Sequence, residues 1–304
     1  MNQLFDKYID IKFYDQMPGA DGSLNKAVDG ITVPETGIKP AINLSATFLP
    51  SDVMSSVEVR ITNYYPSVPL STYKWMTIQA GYKHSDDSAF IEGQVMVAYQ
   101  ESPSPDGVTL VSLLIGHVDD LLNRNVEIFV PASTSTNETV FNSVIGALSA
   151  TGNNWTLKSS YGFQPMEGVS YQFKGKAIDC LNDMKTRWKF GYTIEGLNLI
   201  VYVPDKGRTG EETIVVNYLS SPPQAAASGI TFVAPWLPKL RCGMVVQINP
   251  IFFKQTFGAA NVTYQKDGLM ITQTVSLQYN TVTNQNQMTV LALNTYEVPQ
   301  ASGS

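Results

Sequence analysis

Alternation of apolar and polar residues dominates both ends of the chain. In residues 56–62 the apolar Val57, Val59 and Ile61 alternate with Glu58 and Arg60, the period-two pattern of a strand with one buried face. Residues 8–14 alternate less regularly, and 42–48, 76–80, 90–99 and 108–115 read as further strands. Polar stretches at 15–30 and 83–88, and then Gly116, separate them. Short strands punctuated by turn residues predict a closed or nearly closed antiparallel barrel over residues 1–125.

The period changes after a strand at 126–130. Val140, Val144, Ile145 and Leu148 share one face of a helix that opens near Asn137, with Gly152 placed to stop it. A second helix spans about 176–189, with Ala177, Cys180, Leu181, Met184 and Trp188 on one stripe and Gly191 after its end. Residues 192–194 and 197–203 flank Glu195-Gly196, the turn of a hairpin. Residues 126–204 therefore read as a small α+β domain, although its first strand is equally compatible with the barrel that follows. Strands return at 212–218, 244–248, 269–279 and 288–293, predicting a second barrel over 205–299. Residues 300–304 read as a disordered tail. A strand, a polar loop and a long strand ending in tyrosine occur in both 76–99 and 244–279, which suggests two related barrels. The expected fold is mainly β with an α+β insertion: two tube-like antiparallel β-barrel domains plus a small mixed domain.

Composition changes this picture in one respect. Charged residues make up only 15% of the 304 residues, against roughly 25% in ordinary soluble domains. Aromatic residues at 11% argue against disorder, so much of the surface is uncharged Asn, Gln, Ser and Thr, some of it expected to lie under other subunits. The net charge is −6, and the densest basic window, 174–189, mixes its Lys and Arg with Asp179 and Asp183. Specific nucleic-acid binding is not expected, because it needs clustered cations. An acidic channel would instead let DNA pass without sticking. Cys180 and Cys242 give no disulfide framework and read as buried thiols. Residues 1–15 lack the pattern of a signal peptide, and no stretch approaches a membrane helix, so synthesis in the cytoplasm is expected and the Asn-x-Ser/Thr sequons carry no meaning.

The order of these pieces resembles that of bacteriophage tail baseplate hub proteins. Val59-Arg60-Ile61-Thr62-Asn63, Trp75-Met76-Thr77-Ile78-Gln79-Ala80-Gly81-Tyr82 and Phe90-Ile91-Glu92-Gly93-Gln94-Val95 are similar to that family's first barrel. The helix at 139–150, the Gly175-Lys176-Ala177-Ile178-Asp179-Cys180-Leu181 helix and the Ile194-Glu195-Gly196-Leu197-Asn198-Leu199 hairpin resemble its next elements. Leu219-Ser220-Ser221-Pro222, Gly229-Ile230-Thr231-Phe232 and the run from Leu237 to Val246 resemble the entry to its last barrel. The resemblance, shared with late control protein D and the N-terminal part of type VI secretion spike proteins, implies a homotrimeric ring. Two tube-like barrels per subunit would present a pseudo-sixfold face to a hexameric tail tube, and the other end would carry a trimeric spike or tip. Implied partners are the chain itself, the tube protein, the spike or tip, baseplate wedge or other tail proteins and the tape measure protein. The implied place is the virion tail, and the resemblance brings no catalytic residues, cofactor or metal.

Segment 168–176 has the wrong spacing for a phosphate loop and lacks its Ser/Thr. His84 stands beside Asp86 and Asp87, and His117 beside Asp119 and Asp120, a pairing that suits a cation or a general base but lacks further ligands at metal-like spacing. No Gly-x-Ser-x-Gly elbow is present. Trp75, Trp155 and Trp188 read as core, whereas Trp236, framed by Pro235 and Pro238, reads as an interface residue. The loops at 15–30 and 100–107, with Asp21 and Ser104, are candidate docking arms. Two rival readings are a host-recognition or carbohydrate-binding tail protein and a cell-wall hydrolase.

Overall fold

The computed structural model of the chain describes residues 7–19, 23–33, 41–50, 54–82, 88–101, 107–132, 136–150, 152–166, 168–226, 229–249, 268–281 and 286–294. The first strand-rich region holds β1 (Lys7–Tyr14), β2 (Asp29–Val33), β3 (Ala41–Phe48), β4 (Ser56–Thr62), β5 (Trp75–Tyr82), β6 (Ser88–Gln100) and β7 (Val108–Ile115). The insert follows with α1 (Val118–Asn123), β8 (Asn125–Val130), α2 (Asn137–Ser149), β9 (Thr156–Ser159), β10 (Tyr171–Lys176), α3 (Ala177–Trp188), β11 (Gly191–Glu195) and β12 (Asn198–Tyr202). The last region holds β13 (Ile214–Val216), β14 (Ser221–Ala226), β15 (Gly229–Pro235), β16 (Val245–Ile248), β17 (Leu269–Asn280) and β18 (Gln287–Asn294). The expected class, mainly β with an α+β insertion, is the observed one.

The alternation read in 56–62 is what buries one face of β4: Val57, Val59 and Ile61 are inside while Arg60 is exposed. β3 follows the same rule with Ile42, Leu44, Ala46 and Phe48. One feature escaped the period. β17 pairs antiparallel with β3, from Val275↔Phe48 to Asn280↔Asn43, so a single 13-stranded sheet runs through both strand-rich regions. Their apolar faces form one continuous core, from Ile9 to Ala292. The two longest strands, β6 and β17, each carry a bulge, between Val95 and Val97 and between Thr272 and Thr274. An extra residue on one strand bends it and increases its twist, which curls a sheet of this width.

The insert has its own core beneath α2 and α3, built on Val140, Phe141, Val144, Leu148, Leu181, Met184 and Phe190. Among the described residues β8 pairs only with β10, not with the last region's sheet, and β9 joins β12 in parallel. Helix α2 ends as its sequence predicts, with Gly152 at φ +99°. Helix α3 ends at Trp188, with Gly191 after its end as expected, and Lys189 between them takes the left-handed conformation (φ 53°, ψ 44°), its N–H bonded to the Lys185 carbonyl. Gly191 is needed for another reason, since a Cβ there would stand 2.6 Å from the Tyr202 ring.

Candidate functional site: an open strand edge and a charged seam

β6 is longer than the neighbour on one of its sides. β5 accompanies it only as far as Trp75↔Gln94, after which the Val95 N–H donates to the Lys74 carbonyl at 2.9 Å. Beyond that point β7 continues on the other side, with Met96 as the extra residue of the bulge. Apart from the single turn Leu70–Thr72 beside its start, no strand pairs with this half-strand on its open side among the described residues. The Glu101 N–H reaches the Val108 carbonyl at 2.8 Å, so Tyr99 and Glu101 bond inward. By the alternation of an antiparallel ladder, Ala98 and Gln100 therefore turn their N–H and C=O outward. The side chains here are apolar yet uncovered: Met96 is 50%, Val97 47% and Tyr99 45% exposed. Unpaired backbone beside exposed apolar side chains is a template for another strand. Val215, the middle residue of β13, and Tyr218, just after it, are further exposed apolar residues, and among the described residues β13 pairs only with β16.

A second feature lies where the insert meets the sheet. A crevice of about 350 Å³ is lined by Glu92, Glu195, Arg208, Glu211, Lys239 and Arg241 among others. The buried Arg208 side chain donates to Thr193 Oγ1 at 2.7 Å and to Glu195 Oε1 at 2.8 Å. Burial alone would raise the Glu195 carboxyl, but the Arg208 and Arg241 guanidiniums outweigh that and hold it below the usual carboxylate range. Arg241 lies 4.6 Å from the Phe48 ring centre and donates to the carbonyls of Pro238 (2.8 Å), Leu240 (2.9 Å) and Phe90 (3.2 Å). The Glu92 carboxyl is pushed up by burial. Arginines spent on carbonyls and carboxylates in this way tie chain segments together.

The candidate residues fare differently. Trp236 is corrected: its side chain is only 2% exposed and packs edge-on against Tyr279 at 5.1 Å, inside the main core. The flanking prolines read as the frame of an interface residue, but Pro235 ends β15, whose alternation carries Ile230, Phe232, Ala234 and then the indole inward. Asp21, Ser104 and the trio His84, Asp86 and Asp87 lie outside the described residues. His117 does not end a strand but precedes α1, buried against Trp75 at 4.9 Å, and burial pushes its pKa down against the pull of Asp120 and Asp119. Its two acids are occupied elsewhere. Asp120 accepts from Asn153 Nδ2 (2.8 Å) and Trp155 Nε1 (2.9 Å), and Asp119 accepts from Gln94 Nε2. Segment 168–176 becomes a turn and then β10, with no phosphate cradle. Cys180 and Cys242 are buried, each pushed up to about 11 by burial. Among the described residues no group of three or more His, Cys, Asp or Glu could hold a metal ion, and no helix is long and apolar enough to cross a membrane.

No family model matches the sequence, and no curated protein does. Solved structures do match. A 43 kDa tail protein of prophage MuSo2 from Shewanella oneidensis superposes with a TM-score of 0.57 at 8% identity, covering 95% of this chain and 97% of that one. The c3393 protein of E. coli, a type VI secretion component similar to bacteriophage T4 tail proteins, gives 0.59 at 10% identity over 86% of this chain and 76% of that one. This chain has the fold of phage tail proteins. A tail protein from Neisseria meningitidis extends the likeness, at 0.52 and 6% identity over 94% and 96% of the two chains. Within the tail-protein fold, the open edge of β6 and the charged seam are the two features that stand apart from core packing.

Proposed function

We propose that the chain is the structural hub of a phage tail baseplate, a ring of three copies that adapts a hexameric tail tube to a trimeric spike or tip. The reading rests on a tail-protein fold whose β6 leaves an apolar strand edge uncovered on the single chain. Such an edge is a ready template for pairing with another strand or another subunit. Two strand-rich regions in one subunit supply six quasi-equivalent units per ring of three, which resolves the mismatch with a sixfold tube. The sheet gives a stiff wall, and a net charge of −6 suits a passage for DNA. Partners in this reading are further copies of the chain, the tube protein, the spike or tip, other baseplate proteins and the tape measure protein. The protein works in the virion tail, performs no catalysis and needs no cofactor.

Negative-stain imaging with native mass measurement tests this. A ring of three, alone or with the spike partner, is expected. A chain that stays monomeric with tube and spike proteins present and binds purified glycans would overturn it in favour of host recognition. Clearing of purified cell walls would overturn it in favour of a hydrolase.

A further inference from the structure

The two strand-rich regions repeat each other around their longest strands. β7, β4 and β3 follow β6 across the sheet as β18, β15 and β14 follow β17. β6 is flanked by β5 only as far as Trp75↔Gln94, and β17 by β16 only as far as Val245↔Ile271. One residue further on, the Val95 N–H donates to the Lys74 carbonyl at 2.9 Å, and the Thr272 N–H to the Met244 carbonyl at 3.0 Å. A bulge follows on both strands, with Met96 and Gln273 as the extra residues. The repeat ends outside this frame, since β1 joins β5 antiparallel whereas β13 joins β16 in parallel.

Past the bulge the two strands differ in what covers them. The second half of β17 carries β3, from Val275↔Phe48 onward, and Val275 and Leu277 are buried. The matching residues of β6 are Ala98, half-buried, and Gln100, exposed, and among the described residues no strand pairs with them on that side. β3 in turn matches β14. Ser45 and Ala46 pair with Glu58 and Val57 of β4 as Gln224 and Ala225 pair with Thr231 and Ile230 of β15. Among the described residues β14 pairs with no strand but β15. One chain therefore has an empty strand position and, at the far end of the same sheet, a spare edge strand of the kind that fills it.

We infer that the second half of β6 receives β14 of another copy, in the register that β17 uses for β3. Tyr99 then lies opposite Ala226, Gln100 opposite Ala225 and Glu101 opposite Gln224. Pro222 and Pro223, which cannot donate to a ladder, fall opposite the chain beyond Glu101, where β6 has ended. The contact is head-to-tail: each copy gives β14 to one neighbour and β6 to the other, and such a contact builds a ring when its rotation closes. This names the partner strand within the hub reading and rests on that reading for closure at three copies.

Cross-linking tests the register. Tyr99 turns its N–H and C=O inward to β7, so Tyr99 and Ala226 form a non-hydrogen-bonded pair, with Cα atoms about 4.5 Å apart and within reach of a disulfide. A chain carrying Tyr99→Cys and Ala226→Cys, oxidised while assembled, is expected to give covalent dimers and trimers on a denaturing gel without reductant; the native thiols are buried. Glu101→Cys with Gln224→Cys, two residues along on the same face, should do the same and serves where circular dichroism shows the first pair to disturb folding. Tyr99→Cys with Ala225→Cys should link at least about tenfold more slowly, because neighbouring side chains on a strand point to opposite faces. Dimers from Tyr99→Cys alone, which require β6 against β6, overturn the proposal, and so does a designed bond closed within a single chain. A ring of three in native mass spectra with neither designed bond overturns the strand contact and leaves the hub reading standing. The designed bond in assemblies of any other size supports the contact and overturns the count of three. Absence of both assembly and bond, with tube and spike proteins present, overturns both.

Discussion

Replacing Val97 with lysine puts a charge at the centre of the open β6 edge. In the single chain Val97 is 47% exposed, so the change removes little that the fold itself uses, and monomer stability should move by no more than about 0.5 kcal/mol. In an assembled ring the remaining half of the side chain would be covered. Full burial of a valine is worth about 1.5–3 kcal/mol, so half of it contributes about 1 kcal/mol per contact. The lysine adds at least about 1 kcal/mol for a charge that must leave water or bend away. Each subunit contact should therefore weaken by about 2 kcal/mol, roughly thirtyfold in Kd. Mass photometry over a concentration series reads this as a shift from ring to monomer, and a urea melt on the same samples checks the fold. The same shift is expected of Tyr99→Lys, and none of Lys174→Glu on the insert's exposed face. A ring that forms at unchanged concentration with Val97→Lys would refute the assignment of this edge to assembly. So would a monomer destabilised by several kcal/mol.

Three further outcomes are expected. Gly93→Ala should cost 3 kcal/mol or more on the order of an overpacked core, because its Cβ would collide with the Leu114 carbonyl oxygen and stand 2.6 Å from Leu113 Cδ1; Gly146→Ala in α2, with nothing within 4 Å, should stabilise by about 0.5–1 kcal/mol, and denaturant titration compares the two. Burial raises the Asp29 carboxyl, but hydrogen bonds from the Tyr73 hydroxyl (2.6 Å) and the Ser67 (2.7 Å) and Gly30 (2.9 Å) N–H groups outweigh it and leave its pKa lowered. With the folded value below the unfolded one, this stabilisation is present above about pH 4 and lost as pH falls through the folded value, so Asp29→Asn should flatten the loss of stability between pH 5 and 3 in thermal melts. Cys180 and Cys242, both buried and pushed up to about 11, should resist a thiol reagent at pH 7.5 until denaturant is added; rapid labelling of the native chain would contradict their placement.

Local periodicity made much of this architecture readable and left the long-range part hidden. β4 and β7, both long helices and the Glu195-Gly196 hairpin follow from spacing within a few residues. β2 hid in the polar stretch because Asp29 and Gly30 open it, and it is a strand only because β1 lies beside it. β14 contains Pro222 and Pro223, which argue against a strand, yet it is an edge strand where an N–H need not serve a second neighbour. Short β9 and β10 depend on the insert's own packing. The pairing of β17 with β3 carries no sequence signal at all, since neither alternation names its partner. For the same reason the apolar run at 96–99 read simply as part of a strand, and its exposure followed only from where β5 stops. Arg208 and Glu195 belong to different segments, and no local spacing in the sequence links them.

The welding of β3 to β17 has a consequence for how the protein is made. More than two hundred residues separate the two strands. At bacterial or eukaryotic elongation rates of about 5–20 residues per second, β3 leaves the ribosome on the order of ten seconds or more before its mate exists. The insert, with a core of its own, can condense during that interval, whereas the first seven strands wait with a raw flank. That flank is where mispairing with a neighbouring nascent chain would begin, so the late arrival of β17 is the step at which correct product is won or lost.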